Sequence, residues 1–123
     1  MITKQALEQF IGTECYWSHP FFKGIVYTDG VKYLFDNGAA WLGDVVMSHM
    51  KHTPRLLTKS RGMLFITLSV NADRSANVVA QPDIDEPALF EQEIPYTDYP
   101  LQKQQIWASY SGDNWVLYLP SEH

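Results

Sequence analysis

The sequence predicts an α+β domain in which N-terminal helices pack on a C-terminal antiparallel sheet of about four to five strands. Two observations carry that expectation. Apolar residues recur in the helical period up to about residue 50, and from Met63 onward they alternate with a period of two. The two patterns follow one another without alternating, which argues against βαβ units. A chain of 123 residues fits one domain over residues 1–123, mainly helical over 1–62 and sheet over 63–123.

The first helix is expected over residues 3–11, TKQALEQFI. Thr3 is its N-cap, and Leu7, Phe10 and Ile11 share a face. Gly12 is the stop. The next stretch, TECYWSHPFFKG, reads as an extended aromatic arm, because Pro20 biases His19 away from the helical region.

Tyr27 to His49 is the longest segment in the helical period and has two readings. Asp29-Gly30 between β-prone runs suits a hairpin turn. Alternatively Thr28 or Asp29 caps a helix that breaks at Asn37-Gly38, and a second helix starts at Ala39. The second reading is favoured, because Leu34, Phe35, Gly38, Trp41, Leu42 and Val45 keep the helical period through the break. Pro54 ends the helical part.

In the strand half, Leu64, Ile66, Leu68 and Val70 share one face and Thr67 and Ser69 the other. A turn at 71–75 leads to a return strand, NVVAQP. A loop at 82–87 precedes a third strand, LFEQEIPY. IWASYS and NWVLYL flank Gly112-Asp113 as a second hairpin.

Bulk composition excludes some classes. The 46% hydrophobic content supplies a core and rules out a disordered chain. The single cysteine, Cys15, cannot form an internal disulfide, which points to a reducing, cytoplasmic setting. The first residues lack an unbroken apolar run, so no signal peptide is expected, and no run is long enough to span a bilayer. Net charge is −5 but uneven: residues 1–63 carry +2, residues 64–103 carry −5 and the remainder −2.

Several constellations are candidates for chemistry. His49 and His52, three apart, reach one helix face and with Asp44 would offer zinc ligands. Without an HExxH or a cysteine pair, a solvated helix end is the better reading. Cys15 with His19 would be a nucleophile and base, against the plainer reading of a small buried residue. Asp29, Asp36 and Asp44 would supply carboxylates, although Asp29 is better explained as a cap. Tyr16, Trp17, Tyr27, Tyr33 and Trp41 are dense enough to be either core or binding surface, with core the heavier reading. Lys51, Arg55, Lys59 and Arg61 form a run of cations with no acid among them, a candidate phosphate contact. The belt from Asp83 to Asp98, with Asp85 and Glu86, is a soluble face or a surface for a basic partner. There is no GxxxxGK[ST], GxGxxG or GxSxG, which disfavours nucleotide hydrolysis, Rossmann redox chemistry and lipase-like chemistry.

Some stretches carry a resemblance: YTDGVKYL at 27–34, Gly12-Thr13-Glu14, Tyr16 to Pro20, Ala40 to Asp44, Asn71 to Ala76, Glu93 to Leu101 and Leu119 to Glu122. In that order they resemble an uncharacterised family of small bacterial proteins borne on plasmids, phages and other mobile elements. The chain departs from the pattern at Ala40, where a Tyr often precedes the Trp. The resemblance implies a prokaryotic or phage origin and supplies no reaction.

The expected function is therefore a small non-catalytic protein-interaction protein of a mobile element, such as an inhibitor of a bacterial defence system. The residues expected at the partner are Tyr16, Trp17, His19, Asp29, Tyr33, Asp44, Asp83, Asp85 and Glu86. No metal or cofactor is expected, and the partner is another protein rather than a membrane. A second expectation is an enzyme or ligand-binding cleft built from His19, Asp29, Tyr33, Asp44 and His49. A third is nucleic-acid binding through Lys51, Arg55, Lys59 and Arg61.

Overall fold

A computed structural model describes residues 2–122 of the chain. Four helices run Lys4–Glu8 (α1), Asp29–Leu34 (α2), Ala40–His52 (α3) and Leu56–Ser60 (α4). Seven strands run Trp17–Ser18 (β1), Ile25–Tyr27 (β2), Met63–Val70 (β3), Ala76–Gln81 (β4), Phe90–Ile94 (β5), Lys103–Tyr110 (β6) and Trp115–Tyr118 (β7). A short 3₁₀ turn, Pro120–Glu122, follows.

The expected sheet of four to five antiparallel strands fed by a helical N-terminal layer is wrong. All seven strands form one mixed sheet in the order β1-β2-β7-β6-β3-β4-β5. The two extra strands come from the N-terminal half and interleave with its helices. β2 pairs with β7 in parallel, Val26 opposite Val116, while the other neighbours are antiparallel. Residues 25–27 thus take the strand of the hairpin reading, and residues 29–34 the helix of its rival. Isoleucine and valine favour the pleated, half-buried slot beside β7, and Thr28 then caps the helix, accepting from the Val31 amide at 3.5 Å.

The expected break falls at Asn37 and Gly38, whose φ values of −110° and +107° interrupt the helix. Gly38 occupies a left-handed conformation that costs a residue with a Cβ roughly 1–2 kcal/mol. α1 is shorter than expected: Thr3 caps it by accepting from Ala6 at 3.1 Å, but it ends at Glu8 rather than near Gly12.

The core lies on one face of the sheet. Leu64, Ile66 and Leu68 of β3, Val78 and Ala80 of β4, and Ile106 and Ala108 of β6 are fully buried with Leu34, Leu42, Val46 and Met47 of the helices. Each of the Leu, Ile, Val and Met side chains among them stabilises by roughly 1.5–3 kcal/mol relative to exposure. The period-two alternation therefore identified the correct inward face of β3. Edge strand β5 carries exposed Glu91, Gln92 and Glu93, charges that discourage edge-to-edge pairing.

A knot of polar bonds ties the turn between β3 and β4 to the connection between β5 and β6. Arg74 sits at φ +69° and its guanidinium donates to the carbonyls of Thr97 and Tyr99. The Tyr99 hydroxyl donates to Gln104 Oε1 at 2.7 Å in the interior, and burial pushes that phenol well above its ordinary range.

Candidate partner-binding surface

The arm at residues 9–24 is fixed to the start of α2 by one carboxylate. Asp29 Oδ1 accepts from the Trp17 indole at 2.9 Å, and Oδ2 accepts from the Glu14 amide at 3.0 Å. The Asp29 amide donates to Thr13 Oγ1 at 3.0 Å. These donors, the Trp17 indole first, hold the Asp29 carboxyl below its ordinary value, since each bond favours the charged form. Asp29 is thus the arm's anchor rather than the helix cap. The Lys32 ammonium lies 4.6 Å from the centre of the Trp17 ring and also pairs with Asp36 four residues on. Trp17 is held at its edge and beside its ring.

A second carboxylate closes the same corner from the C-terminal end of the chain. Glu122 accepts from the Thr28 hydroxyl at 2.7 Å, the Leu119 amide at 2.9 Å and the Gly30 amide at 3.2 Å. A Cβ on Gly30 would lie 2.7 Å from both Glu122 Oε1 and Leu119 Cδ1, so only glycine admits this approach. Thr13, Gly30 and Glu122 were missed as structural residues. No local pattern signals them, because their partners lie 16 and 92 positions away.

On this anchored arm several large apolar groups stay outside. Ile11 is 82% exposed, Tyr16 63% and Phe21 83%. Trp17 is partly exposed. By contrast Tyr27 packs on Phe35 with ring centres 4.9 Å apart, and Tyr33 packs on Phe10 at 5.4 Å. Trp41 is half-buried against the core. The aromatic group singled out by sequence therefore divides: Tyr16 and Trp17 face outward, and Tyr27, Tyr33 and Trp41 serve packing.

His19 sits at the arm's bend. Its Nδ1 accepts from the Phe21 amide at 3.1 Å, which places the proton on Nε2, 3.6 Å from Asp44 Oδ1. Its ring lies against Phe22 at 4.9 Å. His49 is engaged elsewhere, stacked on Phe90 at 4.9 Å with Nε2 2.8 Å from Gln92 Oε1. The five residues proposed for one cleft thus split into separate contacts: Asp29 with Trp17, His19 with Asp44, Tyr33 with Phe10, His49 with Gln92.

His52 bonds back to the Ser48 carbonyl at 2.7 Å, so it and His49 address different atoms. Among the described residues no group of three or more His, Cys, Asp or Glu side chains is placed to hold a metal ion. Cys15 is exposed, which corrects the expectation of a buried thiol.

The two charged candidates meet. Arg61 pairs with Glu86 at 2.9 Å, joining the basic run to the acidic belt. Lys51 donates to the Lys23 carbonyl at 2.8 Å. Arg55 is in the left-handed region at φ +54°, just before α4. Asp83 accepts from its neighbour Ile84 at 2.7 Å, and Asp85 lies exposed between Ile84 and Glu86. Among the described residues no helix is long and apolar enough to cross a membrane.

The fold and this corner define a small mixed-sheet domain, covered by helices on one face, that displays aromatic groups on a rigidly tied arm. The chain belongs to a family of unknown function, DUF6876, whose pattern it matches over residues 1–123. No curated protein and no solved structure matches it.

Proposed function

We propose that the chain is a non-catalytic protein-interaction protein, and that the arm at residues 9–24 is its partner-binding surface. The observation that carries this reading is the exposure of Tyr16 and Phe21 on a segment tied down by Asp29. Large apolar groups held in place by hydrogen bonds lose little freedom on docking, which is how aromatic anchors dominate interfaces. Trp17, which Asp29 bonds, lies beside Tyr16 in the chain, His19 lies against Phe21 and pairs with Asp44, and Tyr33 packs on Phe10 at the base of the arm. The acidic loop, Asp83, Asp85 and Glu86, adds a charge that steers basic partners.

Carriage on a plasmid or phage, a cytoplasmic setting and a role in inhibiting host defence extend this reading. They rest on the resemblance of the motifs and on the lone cysteine, not on geometry.

The test compares the tagged chain with a Tyr16→Ser/Phe21→Ser variant of equal Tm as bait in bacterial lysate. A specific protein retained by the parent and lost by the variant is expected. Identical capture by both would remove the arm from the function. For the defence reading, expression in a phage-challenged host is expected to raise plaque counts in a strain with the defence intact, and unchanged counts across defended strains would sink it.

A further inference from the structure

The helices cover one face of the sheet, and the other carries a row of aromatic side chains. Register sets Phe65 opposite Trp107, and Trp107 opposite Tyr118. The rings meet edge to face, at 5.2 Å and 79° for the first pair and 6.2 Å and 82° for the second. The loop at 82–88 folds over the near end of this row. Gln81 Nε2 holds it by donating to the carbonyls of Ile84 at 3.3 Å and Glu86 at 2.9 Å. The Arg61–Glu86 pair ties it from the other side. Between loop and rings is a cleft of about 270 Å³. Phe65, Trp107 and Ile84 give it apolar walls, and Asp83, Gln81 and Gln105 bring polar atoms to it.

We propose that this cleft receives an arginine side chain presented by a partner protein. The lining holds one carboxylate and no Lys or Arg. Asp83 Oδ1 takes its neighbour's amide, and Oδ2 has no protein donor among the described residues. Gln81 spends its amide hydrogens on the loop, so its Oε1 remains as an acceptor. The site thus offers acceptors beside aromatic rings, and a guanidinium has five donors, no acceptor and a planar face that stacks on rings. An ammonium fits less well, being a strongly hydrated point charge without a plane. The volume lies below the roughly 300–1,000 Å³ of small-molecule sites and suits one side chain. A net charge of −5 on the chain favours a basic partner at long range.

The proposal rests on the reading of the chain as a partner-binding protein and names the chemistry of a partner at a second surface. Its test is independent of the arm. The ¹⁵N-labelled full chain is titrated with the peptide acetyl-Gly-Arg-Gly-amide to about 10 mM, tenfold above a millimolar dissociation constant. Matched peptides carry Lys or the neutral isostere citrulline in place of Arg. Saturable shifts of the Trp107 indole and the Gln81 and Gln105 side-chain amides are expected with Arg, weaker ones with Lys and none with citrulline. Asp83→Asn keeps the bond to the Ile84 amide and is expected to weaken Arg binding by about threefold to fivefold, what a partly exposed charge pair contributes. Equal shifts with citrulline, an unchanged affinity in Asp83→Asn, or no shift at any concentration would overturn the assignment. The arm reading would survive all three, because the Tyr16 and Phe21 variants decide it.

Discussion

Trp17 and Asp29, twelve positions apart, are joined by an indole-to-carboxylate hydrogen bond of 2.9 Å that fixes the aromatic arm to the first turn of α2. The same carboxylate takes the Glu14 amide, so both of its oxygens hold the arm.

Asp29→Ala is expected to release the arm without unfolding the sheet. Limited proteolysis within residues 12–24 should accelerate while the Tm of the whole chain changes little, since the lost bonds lie at the surface. Acid should act in the same way. The carboxyl is held below its ordinary value of 3.8, so the folded state favours its charged form. Its contribution is complete above that ordinary value and is lost as pH falls through the lower folded value. A change in Trp17 fluorescence or indole shift confined to pH below about 4, and missing in Asp29→Ala, is the expected signature. A transition near neutral pH would disagree with it.

Gly30 and Glu122 should behave as one unit. Alanine at a helical glycine normally gains about 1 kcal/mol. Here the new Cβ would displace the Glu122 carboxylate and strip Thr28, Gly30 and Leu119 of an acceptor. Those bonds are worth on the order of 1 kcal/mol each, so Gly30→Ala is expected to destabilise by ~1–2 kcal/mol. Glu122→Ala should cost a similar amount, and the double variant clearly less than their sum. Chemical denaturation measures all three, and simple additivity would count against the arrangement.

Gly43 is the fourth residue of α3, where propensity alone would favour alanine by up to about 1 kcal/mol. A Cβ there would stand 2.7 Å from Cζ of the Phe35 ring. An aromatic ring cannot bend away, so overpacking at ~1–3 kcal/mol wins and Gly43→Ala lowers the Tm. Phe35→Leu should recover part of that loss in the double variant, although alone it destabilises.

Arg61 presents two opposed effects. It forms the ion pair with Glu86, but its side chain is largely solvent-exposed, so the pair is worth at most about 1 kcal/mol. Its backbone is at φ +57°, a conformation that costs a non-glycine residue roughly 1–2 kcal/mol. The backbone term is the larger, so Arg61→Gly is expected to leave the Tm unchanged or raise it. Arg61→Ala, which loses the pair and keeps the strain, should lower it slightly.

Much of the layout was legible in the residues. The Thr3 cap, the break at Asn37-Gly38, and the inward face of β3 all follow from spacing and cap chemistry acting within a few positions. The candidate surface was legible only in part. The density of Tyr16, Trp17, Tyr27, Tyr33 and Trp41 marked the region, yet spacing could not separate the outward pair from the packed three. That division depends on which ring finds Phe10 or Phe35 beside it.

By itself the sequence determined the longer elements, α3 and the strands β3 to β7, and which side of β3 is apolar, because those preferences are set by near neighbours along the chain. The helix α4, Leu56–Ser60, forms beyond Pro54, where the helical part was expected to end. The sequence did not determine that residues 25–27 would enter the sheet, since a three-residue strand carries little signal of its own. Only the tertiary structure decided that, by offering β7 as a parallel partner about ninety residues later. The same holds for the meeting of Asp29 with Trp17, of Gly30 with Glu122 and of Arg61 with Glu86. Each is a contact between side chains that the packed sheet and helices bring within reach, and no local preference encodes it.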